Sequence, residues 1–150
     1  MKKVDTAQYV TVLKELVEEG KSVSMLIAGS SMEPFLCHYR DTIFFEKPKR
    51  EIRKGDMVFY QRESGQYVMH RVCRVKDDGY YMVGDNQTEI EGPLKREQIF
   101  ALITQVRRKG KMMGPGDFWW EFFAKVWLRL LPVRKPISHL YARLTKFVRK

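Results

Sequence analysis

At 150 residues the chain has room for one domain with an appendage. Its 44% hydrophobic content, with nine Phe, seven Tyr and three Trp, fills one core and excludes global disorder. The net charge of +10 is placed unevenly: residues 1–106 balance sixteen Lys and Arg against sixteen Asp and Glu, while residues 107–150 set twelve cations against Asp117 and Glu121 alone. A neutral body therefore carries a basic, aromatic tail, which should seek an anionic partner.

The first predicted element is an amphipathic helix over residues 5–19, within an N-terminal segment 1–20. Asp5 or Thr6 can cap it, Tyr9, Val10, Val12, Leu13, Leu16 and Val17 supply its apolar stripe, and Gly20 stops it. Fifteen or so residues are too few for a helix-turn-helix that reads DNA. Charges interrupt any apolar run here, so the segment is read neither as a signal peptide nor as a membrane span.

From Lys21 to Arg108 the pattern is β. Strands are predicted at Val23–Ala28, Thr42–Glu46, Asp56–Arg62, Gln66–Val75, Gly79–Val83 and Phe100–Arg107. Ser64-Gly65 and Asp77-Asp78-Gly79 read as hairpin turns between them. Six closely spaced strands predict a mainly β, twisted, barrel-like domain over 21–108 rather than alternating α/β. Residues 109–116, with three glycines and a proline, read as a linker. Residues 117–150 read as a helical tail. In Phe118–Leu131 the charges Glu121, Lys125 and Arg129 form one narrow stripe on an otherwise apolar helix. After Pro132 and Pro136, the residues Ile137, Leu140, Tyr141, Leu144, Phe147 and Val148 resume helical spacing.

Cys37 and Cys73 lack CxxC spacing and read as reduced thiols. His38, His70 and His139 are too scattered for a zinc motif, so no metal or other cofactor is expected. The stretch Gly29-Ser30-Ser31-Met32-Glu33-Pro34 leaves a predicted strand and turns sharply, which exposes a serine at a strand end. Serine is a poor nucleophile until a base takes its proton and a third group fixes that base. His70, at the end of Tyr67-Val68-Met69, is the best-placed base, and Asp85 leaves the strand Tyr80–Val83 into a polar loop where it can accept from an imidazole nitrogen. Residue chemistry thus permits a Ser31–His70–Asp85 site. Asp56 and Arg71 read as structural, and His38 and His139 as solvated.

Four ordered motifs carry a resemblance. Gly-Ser-Ser-Met-Glu-Pro-Phe-Leu at 29–36, Lys-Gly-Asp-Met-Val at 54–58, His-Arg-Val at 70–72 and Gly-Asp-Asn at 84–86 together resemble the type I signal peptidases, membrane-bound serine endopeptidases that remove signal peptides. The resemblance spans residues 21–108. It implies a coiled β-sheet fold and puts the nucleophile on Ser31 rather than Ser30. It also implies the His-base branch found in the endoplasmic reticulum, archaea and some Gram-positive bacteria, because His70 stands where the other branch has Lys. In that branch the acid of Gly-Asp-Asn, here Asp85, is the third member.

Three departures from the family pattern stand out. Gly29 occupies a position where a Ser often helps hold the oxyanion, which leaves the Ser31 backbone N–H and Ser30 as the expected donors. Where a further Asp commonly follows Gly-Asp-Asn, this chain has Glu89 and Glu91, and Glu91 is a possible accessory acid. A charged amphipathic helix stands in place of the usual N-terminal membrane anchor.

The expected function is a serine endopeptidase that cleaves signal or leader peptides after small residues. The expected location is peripheral or monotopic at a membrane, with residues 117–150 on an anionic lipid surface. The continuous apolar surface of Phe118–Leu131 argues against nucleic acid as the tail's partner, and docking on protein is the other reading. Two alternatives differ in class: a non-catalytic peptide-binding or membrane-adaptor protein on the same scaffold, and a LexA-like self-cleaving peptidase. The latter is disfavoured by the missing DNA-binding domain and by His rather than Lys at position 70.

Overall fold

The structure, a computed structural model, describes residues 3–133. Helix α1 (Lys3–Glu18) begins a little before the capping residues read from the sequence and ends where expected. The Gly20 and Lys21 amides close back on the carbonyls of Val17 and Leu16, the paired bonds of a Schellman turn. Only part of the predicted stripe is buried. Val10, Leu13 and Val17 enter the core, while Tyr9 and Val12 stay largely exposed.

The strands are β1 (Val23–Leu26), β2 (Thr42–Glu46), β3 (Met57–Gln61), β4 (Tyr67–Lys76), β5 (Gly79–Val83), β6 (Glu91–Leu94), β7 (Ile99–Arg108) and β8 (Lys111–Met113). They form one antiparallel sheet in the order β1-β2-β7-β3-β4-β5-β6, with β8 on β7. The mainly β expectation holds. Two strands are additional to those read from the sequence. Strand β6 contains Gly92-Pro93, which reads as a turn, and β8 falls in the glycine-rich stretch 109–116.

Register shifts interrupt β2–β7 at Phe44/Phe45, β3–β7 at Phe59/Tyr60 and β4–β5 at Val72/Arg74, and bulges of this kind bend a sheet on itself. The larger core lies on one face, where α1 packs through Val10, Leu13 and Val17 near Ile43, Phe45, Phe59 and Phe100. A smaller core on the other face holds Val58, Tyr60, Val72, Met82 and Leu102.

The tail begins as predicted with a helical turn, α2 (Phe118–Glu121), and widens into π-helical geometry over Phe122–Trp127. Its Phe123 and Trp127 belong to the larger core, and Leu128 packs with Cys73 and Val83. The later part of the predicted tail helix, Ile137 to Val148 with His139, lies outside the described residues.

Candidate active site

Ser31 stands just beyond the β1 edge, in a compact turn over residues 29–36. Gly29 opens that turn with φ +92°, a conformation that a serine adopts only with strain, and its N–H donates to His38 Nδ1 at 2.6 Å. This gives a backbone reason for glycine at position 29. It also occupies the Gly29 N–H and makes the exposed His38 an anchor of the turn rather than a free surface histidine.

The loop after β5 closes on the turn from the other side. Asn86 donates its N–H to the Ser31 carbonyl at 2.9 Å and its side-chain amide to the Ser30 carbonyl at 3.2 Å. Gly84 makes this approach possible, since a Cβ there would sit 2.6 Å from the Ser31 carbonyl oxygen. Ser30 is exposed and Ser31 half-buried.

His70 lies on β4 opposite Val58 of β3 and is buried. Tyr60 is two residues along from Val58, so it stands diagonal to His70 on the same face. Its hydroxyl oxygen is 3.2 Å from His70 Nδ1 and donates to Glu91 Oε1 at 2.8 Å. Arg62 grips the same carboxylate with two bonds, Nε to Oε2 and Nη2 to Oε1, each 2.8 Å. Burial pushes the imidazole down to about 4; the charges of Glu91 and Asp85 oppose that shift and Arg62 adds to it. His70 is therefore neutral at pH 7, as a base must be. The Arg62 and Tyr60 hydrogen bonds hold the Glu91 carboxyl below its usual range against partial burial. Burial and the Glu91 carboxylate push the Tyr60 phenol upward.

Asp85 occupies a different environment from the one its motif suggests. Both its carboxylate oxygens accept from Arg71, Nε to Oδ1 and Nη2 to Oδ2, each at 2.8 Å, and both side chains are fully buried. Successive strand residues face opposite ways, so Arg71 points away from the face that carries His70, and Asp85 is bound on Arg71's side. The structure thus brings Ser31 and His70 to one cleft and pairs Asp85 with Arg71 rather than with the imidazole. The carboxylate connected to His70 is Glu91, through Tyr60. Glu89 is exposed. Arg71 and Asp56 are ion-paired, Asp56 with Arg50, in keeping with their structural reading. Cys37 and Cys73 are not joined by a disulfide, and the Cys73 thiol donates to the Tyr81 carbonyl at 3.3 Å.

The cleft has a volume of about 600 Å³. Ser31 and His70 line it together with Ile27 and Ala28 on one side and Tyr67 and Met69 on the other. It runs between two strand edges. Among the described residues β1 ends the sheet, and in β4 the residues Tyr67–His70 pair only with β3, since β5 joins at Arg71. Such paired free edges accept an extended peptide through main-chain hydrogen bonds. Val10 of α1 closes part of the cleft, and Thr11 and Lys14 bridge to Tyr67 and Gln61 at 3.0 Å each.

The tail supports this site from behind. Phe123 lies 4.8 Å from the Phe35 ring centre, Trp120 packs edge-on at 6.3 Å, and Trp127 Nε1 donates to the Asp85 carbonyl at 2.7 Å. Arg108 donates to the Phe35 carbonyl at 2.6 Å and lies over the Phe35 and Trp119 rings.

Among families of known proteins, the model described as Peptidase S24-like matches residues 2–107. No curated protein and no solved structure matches the chain.

Proposed function

The chain belongs to the Peptidase S24-like family of serine peptidases, and from that premise we propose that it is a signal-peptidase-type endopeptidase that cuts leader or signal peptides, with Ser31 as nucleophile and His70 as base. The observation that carries this reading is the shared cleft: a turn serine and a buried neutral histidine line one groove between two free strand edges. His70 takes the Ser31 proton as the hydroxyl attacks the scissile carbonyl, and then gives it to the leaving amine. Water releases the acyl-enzyme by the same route. The Ser31 N–H is the proposed oxyanion donor, with Ser30 beside it.

The test incubates wild type and Ser31→Ala, with lipid, against peptides that carry Ala-x-Ala before a cut site. Cleavage by wild type alone supports the reading, and equal cleavage by both sinks it. Silence from both favours the peptide-binding adaptor. The family match also favours a second reading, LexA-like self-cleavage. Concentration-independent loss of intact mass in wild type, absent from Ser31→Ala, would select it over cleavage of a separate peptide.

The proposal includes an anionic membrane surface as the place of work. Phe118 is 71% and Trp119 45% exposed on the tail helix, which also carries the exposed Lys125 and Arg129. Among the described residues no helix is long and apolar enough to cross a membrane, so the contact proposed is interfacial. Full-length protein should float with phosphatidylglycerol vesicles, and Phe118→Ser/Trp119→Ser should float less. Equal flotation counts against it.

A further inference from the structure

We propose that Tyr60 is a positioning residue for His70, linking the imidazole to Glu91 so that a phenol and a carboxylate together take the orienting role that the sequence motif assigns to Asp85. This rests on the reading of His70 as the base. Tyr60 has one hydroxyl proton and two neighbours within reach, Glu91 Oε1 at 2.8 Å and His70 Nδ1 at 3.2 Å. The Glu91 carboxylate is held ionised by two bonds from Arg62, so it can only accept. The shorter, charge-assisted bond takes the phenol proton. The phenol oxygen then has only lone pairs left to offer His70, and a hydrogen bond at Nδ1 requires the imidazole to carry its proton there. The proton of neutral His70 is thereby placed on Nδ1 and the lone pair on Nε2, the state a base needs if it is to take a proton from Ser31.

The opposite tautomer would set two lone pairs against each other at 3.2 Å, or would draw the phenol proton away from an ionised carboxylate. Asp85 cannot substitute. Both its oxygens are engaged by Arg71 on the other face of β4. When His70 becomes an imidazolium during attack, its Nδ1–H bond to Tyr60 shortens and is polarised by Glu91, so the new charge is met through the phenol. The charged and titratable groups around the imidazole are Tyr60 on β3, Arg62 just beyond it, Glu91 on β6 and Asp85 after β5.

The tautomer can be read without any substrate. In full-length protein with 15N-labelled histidine, His70 (assigned by its loss in His70→Asn) should show a protonated Nδ1 and an unprotonated Nε2 at pH 7. Tyr60→Phe should mix the two tautomers, whereas Asp85→Asn should leave the assignment as it is. A wild-type His70 protonated at Nε2, or a tautomer that responds to Asp85→Asn and not to Tyr60→Phe, overturns the proposal.

If peptide is cleaved, Tyr60→Phe and Glu91→Gln should each lower kcat by about 100-fold with KM little changed, and the double variant should be no slower than the slower single. Full additivity would also overturn it. Should Tyr60→Phe fail to fold, Glu91→Leu removes the acceptor of the phenol proton at the more exposed end of the relay and should move the His70 proton from Nδ1 towards Nε2; an unchanged tautomer would overturn the proposal. Inactive wild type with the expected tautomer would remove the peptidase reading and leave the relay standing.

Discussion

Two arginine–carboxylate forks flank His70, and they differ in almost everything except geometry. Arg71–Asp85 is sealed, at 1% and 0% side-chain exposure, and its remaining donor goes to the Gly55 carbonyl. Arg62–Glu91 is one-third exposed on both sides and reaches the imidazole through Tyr60. The sealed fork joins three loops: the Gly55 turn, the Asp85 loop, and the Ser31 turn through Phe35, whose ring lies 5.6 Å from the guanidinium. The half-open fork leaves its charge within reach of a titrating group. Identical chemistry thus divides into a fastening on one strand face and an electrostatic contact on the other, and one residue step along β4 separates them.

The largest effect expected from breaking this contrast is at the sealed fork. Asp85→Ala leaves a buried guanidinium without its partner, and stability should fall by about 3–5 kcal/mol in denaturant unfolding. A loss below about 1 kcal/mol would mean that the pair is not a fastening.

The acid response comes next and belongs to the other face. The folded imidazole titrates near 4 against an ordinary 6.5, so between those values the unfolded chain binds more protons. Stability that is fully present above pH 6.5 should fall as pH drops towards 4, by on the order of 3 kcal/mol in total. Glu91 and Asp41, whose carboxyls are also held low, add their losses only below the ordinary carboxylate range. Unfolding midpoints measured between pH 7 and 4.5 should flatten in His70→Gln. A slope equal to wild type would assign the effect elsewhere.

Gly84→Ala should cost about 1–3 kcal/mol, because its methyl meets the Ser31 carbonyl 2.6 Å away and must displace the Ser31 turn. Cleavage should fall with it; an unaltered melting temperature and activity would show that the loop yields freely. The smallest change in stability belongs to Glu91→Gln. Removal of a half-exposed pair should shift unfolding by less than about 1 kcal/mol, so any larger effect it has must be sought in the state of His70.

The sheet was largely legible in the sequence because its strands are short β-branched and aromatic runs between turn residues. Thr42–Glu46 and Gly79–Val83 agree with the reading at both ends. Strands β6 and β8 were not, since Gly92-Pro93 and the glycines around Lys111–Met113 give turn signals and only the neighbouring strand supplies the ladder. In the site, Ser31 and His70 could be found because motifs mark them. The partner of His70 could not be found from its motif. Tyr60 sits in the run Met57-Val58-Phe59-Tyr60, which reads as core and is core, and its hydroxyl acquires a role only through the β3–β4 register. Strand alternation carries the one usable signal: Arg71 and His70 are consecutive on β4, so a carboxylate bound by one is turned away from the other. The tail's amphipathic character was visible, but its attachment behind the Ser31 turn rests on contacts of Phe35 with Trp120 and Phe123, which lie far from it in the chain.

That attachment changes what the tail helix divides. Phe123 and Trp127 share a hydrophobic core with Met32 and Phe35, while Phe118 and Trp119 project outward from the same helix. The border between catalytic body and appendage therefore runs lengthwise along the helix rather than across the chain. A cut before Asp117 would strip the cover from the Ser31 turn along with the outward aromatics. Body and inner helix face should melt in a single cooperative transition.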